Sequence, residues 1–383
     1  MGRLAWVFSG GGAKGAFGAG VLQRILERYP RLDWQIVTGT STGSLIAPFA
    51  ALAANDRSQI DALVRLYSGV RKKSVFQSNL RGFKVIKALF DLPEGLVNLK
   101  PLGKLLETEL GGLIAALADG AVDLVVPAVN LQEASLMLCT QSRNQQRIHD
   151  WFQHNEIPGF RTPLEFWPFA ELLNAMQASS AVPLGTQPIW RGNAQYVDGG
   201  VFDKAPLREA LALGADAAIV VLMSPPPTPK VERFKNLIDV GLRAVDLLQD
   251  ELLRGDLANQ RLAGILHKQG VTVAELDRGR VAPEVCTYLN AASNSQTGSD
   301  GKAATGADLM RTVLVEPAFS VGSGNDFDSK VLPGWPESGS LNSDRDRRGD
   351  IAIMAARIAY GRRRVDQLLD APDSELKALL DAQ

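Results

Sequence analysis

The stretch that most limits how this chain can fold is "LAWVFSGGGAKGAFGAGVL", residues 4–22. A short apolar segment of β character runs into three consecutive glycines, and a helix-patterned segment follows. Glycine costs conformational entropy on folding, so three in a row point to a need for bare backbone. Two kinds of ligand would create that need. One is a nucleotide phosphate, because Gly10, Gly12 and Gly15 fit G-x-G-x-x-G. The other is an anion that develops during catalysis and is held by the amides of the turn.

The following residues continue the alternation. "WQIVTGT" reads as a second strand and "GSLIAPFAALAAN" as a second helix, with residues 56–70 as a third. Strand and helix in that order predict an α/β fold with a parallel core. Further strands are expected at "VDLVVPAVNL", "SLMLCT", "AAIVVLM" and "TVLVEP". Helices are expected at the end of "PLEFWPFAELLNAMQAS", over 231–268 and in the terminal "RGDIAIMAARIAYGRRRVDQLLD". The segment 71–100 is basic, aromatic and turn-rich, and 291–308 is small and polar, the composition of a surface insertion. No repeat or linker interrupts the chain. It reads as one elaborated domain, with a catalytic core over 1–215 and a C-terminal part over 216–383.

Composition removes several function classes. The formal net charge of −1 over 383 residues offers no global field for nucleic acid. Cys139 and Cys286 lie far apart and form neither a disulfide nor a metal pattern, which suits a reducing compartment. The N-terminus reaches its glycines too early for a signal peptide, Trp6 breaks the myristoylation pattern, and no apolar run of about 20 residues spans a membrane. A soluble, cytoplasmic protein is expected.

The phosphate reading lacks its companions. A dinucleotide site needs an acidic residue at the end of the second strand, but Asp33 precedes that strand. Lys14 is followed by glycine, so no G-K-[ST] occurs. The second strand instead delivers Gly39-Thr40-Ser41-Thr42-Gly43, a G-x-S-x-G between strand and helix, which is the setting of a nucleophile elbow. The two glycine motifs then explain each other. Attack by Ser41 on an ester carbonyl creates an oxyanion, and the amides of Gly10, Gly11 and Gly12 offer it donors free of side chains. Lys14 would add positive charge there, or else is a solvated first-turn residue.

The residues leave two bases open. A Ser-His-Asp arrangement would draw on one of three histidines, of which His267, before Gly270, has the right chain order. It also reads as an ordinary helix-end cation, and His149 and His154 read as surface residues. The alternative is Asp198 in "VDGGVFDKAP", a carboxylate on a glycine turn that partial burial would make basic enough to accept the serine proton. The same residues also suit an Asp-Gly hairpin turn.

"SGGGAKGAFGAGVL", "GTSTGS", "ASSAVP" and "VDGGVFDKAP", in that order over about the first 210 residues, resemble the patatin-like phospholipase family, most closely its bacterial branch. The resemblance implies a three-layer α/β/α sandwich with a mainly parallel central sheet. It implies a Ser-Asp dyad without histidine, with Ser41 as nucleophile, Asp198 as base and Gly10, Gly11 and Gly12 as the oxyanion hole. Lys14 stands where the family often has arginine, keeping the charge but not the planar geometry. Ser179 lies in the "ASSAVP" segment, which the resemblance places near the active site, where it either orients backbone or caps a helix. Beyond about residue 215 the resemblance weakens.

The expected function is therefore hydrolysis of lipid acyl esters, of phospholipase A or lysophospholipase type, through an acyl-Ser41 intermediate. No cofactor, metal or nucleic acid is implied, and no oligomeric state is assigned. Two rivals are a soluble esterase or thioesterase with the same dyad, and a non-catalytic regulatory protein on the same fold. Residues 81–90, "RGFKVIKALF", combine Arg81, Lys84 and Lys87 with Phe83, Ile86 and Phe90. They are either a peripheral membrane contact or a helix packed on the core with a solvated basic face.

Overall fold

The computed structural model describes residues 2–78, 95–156, 159, 161–225, 237–269, 285–289, 310–318 and 353–383. The expected lipid-contacting stretch 81–90 and the polar insertion 291–308 lie outside the described residues. In chain order the strands are β1 (Leu4–Phe8), β2 (Ile36–Gly39), β3 (Gln77–Ser78), β4 (Val97–Asn98), β5 (Asp123–Asn130), β6 (Ser135–Thr140), β7 (Leu164–Trp167), β8 (Ile189–Arg191), β9 (Ala194–Asp198), β10 (Ala217–Val221) and β11 (Arg311–Val315). The helices are α1 (Gly15–Arg28), α2 (Thr42–Ala53), α3 (Ser58–Gly69), α4 (Lys72–Val75), α5 (Lys100–Leu110), α6 (Ile114–Asp119), α7 (Ser142–Asn155), α8 (Leu172–Ser179), α9 (Leu207–Ala212), α10 (Leu237–Lys268), α11 (Ile353–Leu369) and α12 (Glu375–Leu380).

β1 is buried along its whole length, and its side chains divide between two cores. Leu4, Trp6 and Phe8 join one cluster, and Ala5 and Val7 the other. A strand apolar on both sides belongs in the middle of a sheet covered on both faces. Phe17 of α1, Ile46 and Phe49 of α2, and Tyr360 of α11 close one face. Ile148 and Phe152 of α7, Leu207 of α9 and Leu253 of α10 close the other. The result is a three-layer α/β/α sandwich.

The main sheet has nine strands in the order β11-β10-β1-β2-β5-β6-β7, with β9 paired to β5 and β8 to β9. From β11 to the first half of β5 every pairing is parallel. The pairings of β5 with β6, β5 with β9 and β8 with β9 are antiparallel. The chain leaves β1 for β2 on one side, and β10 returns much later on the other. Such a reversal of strand order opens a crevice at the carboxyl ends of the strands. The glycine turn after β1, Ser41 after β2 and Ser224 after β10 all stand at that crevice.

Residues beyond 215 are built into this frame. β10 and β11 extend the sheet, and α11 packs on α1 through glycines on both helices. A Cβ on Gly20 would overlap the Ile358 carbonyl, and one on Gly361 would overlap the Phe17 carbonyl. Arg24 and Asp366 pair across the contact at 2.9 Å. The guanidinium of Arg357, fully buried, donates to the Ala13 carbonyl at 3.3 Å, directly behind the glycine turn. Among the described residues no helix is long and apolar enough to cross a membrane.

The α1–α11 contact gives a direct test. Gly20→Ala should destabilise the protein by about 1–3 kcal/mol in denaturant unfolding, because its methyl meets backbone that cannot rotate away. Gly69→Ala, at the open end of α3 with nothing within 4 Å of the new methyl, should be neutral or gain up to about 1 kcal/mol. Equal stabilities for the two variants would refute the close helix contact.

Candidate active site

The two halves of the site meet because β2 and β9 share one edge of β5. β2 pairs with the start of that edge, Thr38 lying opposite Val125. β9 takes over further along and runs the other way, with Asp198 opposite Ala128. The other edge of β5 is occupied by β6 from Val125 to Asn130. The carboxyl ends of β2 and β9 therefore converge. One leads into Ser41 and the other ends on Asp198.

Ser41 is the N-cap of α2 and sits at φ 55°, ψ −123°. A non-glycine residue in such a region stores about 1–3 kcal/mol of strain, so its neighbours must hold it there. Its amide donates to Ser179 Oγ at 2.9 Å, and its carbonyl accepts from Ser44 Oγ at 2.6 Å. The flanking glycines make room for the turn. A Cβ on Gly39 would overlap the Gly43 carbonyl, and one on Gly43 the Phe8 carbonyl. Ser179 thus holds the Ser41 backbone across 138 residues of sequence.

Asp198 is 2% exposed. Burial pushes its carboxyl up to about 6, against the downward pull of the nearby Ser41 hydroxyl, the Gly200 amide and the Lys204 ammonium. The Gly200 amide donates to Asp198 Oδ1 at 2.8 Å, and the Asp198 amide donates to the Ala181 carbonyl at 2.9 Å. A buried carboxylate with that affinity for a proton, in the same cavity as a serine hydroxyl, is suited to general-base work near neutral pH.

The glycine turn differs from expectation in one respect. The Gly10 amide is not free: it donates to the Lys204 carbonyl at 3.0 Å. Gly10 serves the site by its bareness, since a Cβ there would stand 3.2 Å from the Cβ of Ser41. The amides of Gly11 and Gly12 carry no hydrogen bond among the described residues, so the expected three donors reduce to two. The amide of Thr42, the first residue of α2, is likewise unpartnered among them. Gly12 takes a left-handed φ of 58°. Gly11, at φ 168°, is extended, and what demands glycine there is Met223, which a Cβ would overlap.

Lys14 closes the turn, and its ammonium donates to Ser224 Oγ at 2.5 Å. Burial first, then the nearby Lys204, lower its pKa to about 8, although Asp246 and Asp250 pull the other way. The segment after Asp198 ties the two loops together. The Lys204 carbonyl holds Gly10, the Asp203 carbonyl accepts from Thr40 Oγ1 at 3.0 Å, and the Pro206 carbonyl accepts from Thr38 Oγ1 at 2.8 Å. The Asp203 carboxyl is held well above the usual carboxylate range by burial and by the Glu209 carboxyl facing it. Neither Glu209 oxygen has a hydrogen-bond donor among the described residues.

Two cavities meet at Ser41. One, about 260 Å³, is a polar vestibule that holds Asp198, Lys14, Lys204, Asp246 and Gln249. The other, about 70 Å³, is an apolar chamber walled by α3, α4 and α5. No histidine is among the residues lining either cavity. His149 lies beside Asp150 on the surface, His154 Nδ1 is 2.6 Å from the Asp150 carbonyl, and His267 falls in the last turn of α10. Among the described residues no group of three or more His, Cys, Asp or Glu side chains converges to hold a metal.

The sequence reading did not find α5, which supplies Leu102 and Leu106 to the chamber, nor Asp246 and Gln249 on α10. The spacing of Leu102, Leu106 and Leu110 was a legible helical signal. Nothing local marks Asp246 as a site residue.

A family model described as patatin-like phospholipase matches residues 6–211, more than half of the chain. No curated protein matches the sequence. Among solved structures, VipD from Legionella pneumophila is similar at 13% identity and a TM-score of 0.40, over 100% of this chain and 71% of that one. That likeness is too low to bear on function.

Removing the Ser179 hydroxyl should leave the buried Ser41 amide without an acceptor. Ser179→Ala should lose about 1–3 kcal/mol in denaturant unfolding. It should also slow covalent labelling of Ser41 by a fluorophosphonate. Wild-type labelling in the variant would show that the elbow keeps its shape without that bond.

Proposed function

The chain belongs to the patatin-like phospholipase family, and on that premise we propose that it hydrolyses lipid acyl esters with Ser41 as nucleophile and Asp198 as sole general base. Membership supports lipid acyl hydrolase chemistry in general. The dyad rests on one observation: Ser41 and a buried carboxylate, Asp198, whose pKa burial raises to about 6, line the same cavity, which no histidine lines.

In acylation the Ser41 O–H proton passes to Asp198 as Oγ bonds to the ester carbonyl carbon. The carbonyl π pair moves onto oxygen, facing the unpartnered amides of Gly11 and Gly12. Collapse breaks the carbon–alkoxy bond, and the departing alkoxide takes the proton back from Asp198. In deacylation water gives its proton to Asp198 and adds to the acyl carbon. The second collapse releases the carboxylic acid, and the proton returns to Ser41 Oγ. Lys14 supplies positive charge beside the turn while it is protonated.

Ser41→Ala should reduce hydrolysis of a lipid-ester panel to background and abolish phosphonate labelling. Asp198→Asn preserves shape but cannot accept the proton, and should cost about 10²–10⁴-fold in kcat. His267→Ala should keep most of the activity. A folded, inactive His267→Ala beside an active Asp198→Asn would overturn the dyad.

The pH profile follows from the same two groups. Asp198 must be ionised to act, so kcat/KM should climb about tenfold per pH unit below the Asp198 pKa and then level; that pKa is about 6. Lys14 must be charged to assist, so the rate should fall as pH rises past about 8. Lys14→Met should be slower and lack that alkaline fall. An alkaline limb that persists in Lys14→Met would assign it to another group.

A further inference from the structure

Most of the exposed apolar surface stands on one helix. Nine large apolar side chains are exposed among the described residues, and six of them belong to α10: Val240, Leu247, Leu248, Leu252, Leu262 and Ile265. Single exposed leucines are ordinary, but a contiguous row marks a contact surface. At about 100° per residue the six share an arc of about 140°, and the row runs about 38 Å along the helix axis. The opposite face is already engaged. Leu242, Asp246 and Gln249 line the vestibule, Leu253 is buried, and Gln260 Nε2 donates to Thr312 Oγ1 at 2.8 Å. These contacts fix the rotation of α10, so the apolar row points outward.

Within this face, positions 244, 248, 251, 255, 258, 262 and 265 alternate spacings of four and three, the seam of a two-helix coiled coil. They read Ala, Leu, Glu, Gly, Ala, Leu and Ile. A second copy of the helix laid antiparallel about Leu253 sets Leu248 against the partner's Ala258, Ala244 against the partner's Leu262, and Glu251 against the partner's Gly255. Each large side chain then meets a small one, and two-fold symmetry makes every contact twice. A slip of one heptad in either direction destroys the match, because Leu248 would meet the partner's Ile265 or the partner's Glu251. Gly255 has no other explanation among the described residues: none lies within 4 Å of a Cβ built on it, and it takes no left-handed φ. Inside a helix it costs about 1 kcal/mol relative to alanine. Charge agrees with shape. Glu251 and Arg254 pair at 3.1 Å along one helix, and the same register brings Glu251 beside the partner's Arg254, so opposite charges meet at the centre.

We propose that the outer face of α10 is a homodimer interface, in which the helix packs antiparallel on α10 of a second copy of this chain, with Leu248 over the partner's Ala258 and Leu262 over the partner's Ala244. One helix face is small beside the roughly 1,600 Å² of a standard interface, so the dimer is weak and forms with rising concentration. The proposal does not depend on the Ser41 hydrolase reading.

The test is sedimentation equilibrium of the full chain across the micromolar range. The wild type should move from one toward two chain masses as concentration rises. Leu248→Glu, at a side chain 66% exposed, should fold normally by circular dichroism and stay monomeric throughout. Cross-linking then reads direction and register. Leu248→Cys mixed with Ala258→Cys should give a disulfide-linked pair under mild oxidation. Leu248→Cys alone should not, since the two copies of position 248 would lie about 15 Å apart along the axis, beyond disulfide reach. The native Cys139 and Cys286 are buried and do not compete. A wild type that stays monomeric at every concentration would overturn the proposal, as would a Leu248→Glu that dimerises like the wild type. A monomeric wild type that binds anionic phosphatidylglycerol vesicles, with binding lost in Leu248→Glu, would give the face to lipid instead. Cross-linking of Leu248→Cys alone as readily as the mixture would overturn the antiparallel register.

Discussion

The site depends on a hand-over along one edge of β5. β2 occupies the start of that edge and stops at Gly39, so β9 can approach from the opposite direction and stop at Asp198. A continuous neighbour along the whole of β5 would have kept the two carboxyl ends apart. The mixed character of the sheet is therefore no defect in a parallel design. The antiparallel arrival of β9 is what brings a residue from position 198 to a serine at position 41.

The turns that emerge from this meeting are held by one another. The stretch from Asp203 to Pro206 receives hydrogen bonds from Gly10, Thr40 and Thr38, so the glycine turn and the Ser41 turn hang on the segment that follows Asp198. Arg357, from the far end of the chain, supports the same turn from behind. Strain at Ser41 persists because several independent contacts determine it together. Burial, the common cost of this tight packing, also moves the two titratable groups toward neutrality: Asp198 rises and Lys14 falls.

Much of the architecture was legible because its signals are local. The fully apolar β1, the strand–glycine–helix alternation and the G-x-S-x-G turn each speak through neighbouring residues. α7 was also within reach, with Ile148, Trp151 and Phe152 at helical spacing, but its polar remainder hid it. The strand β7 was missed for a different reason. "LEFW" is only four residues long and runs directly into the helical pattern of α8, and so short an apolar run does not separate strand from helix by periodicity.

The sequence by itself determined that Ser41 sits on a tight strand-to-helix turn beside bare backbone, because glycine spacing and strand polarity are properties of the chain. It also brought Asp198 forward as a candidate base, but set against His267. Only the tertiary structure decided what surrounds them. It committed the Gly10 amide to Lys204 and left the amides of Gly11 and Gly12 open. It seated the Ser41 amide on Ser179 and buried Asp198 enough to lift its pKa. It also walled an apolar cavity beside Ser41 with a helix that carries no motif. The physical reason is that hydrogen-bond partners, desolvation and cavity volume arise between segments far apart in the chain. They exist only once the edge of β5 has brought those segments together.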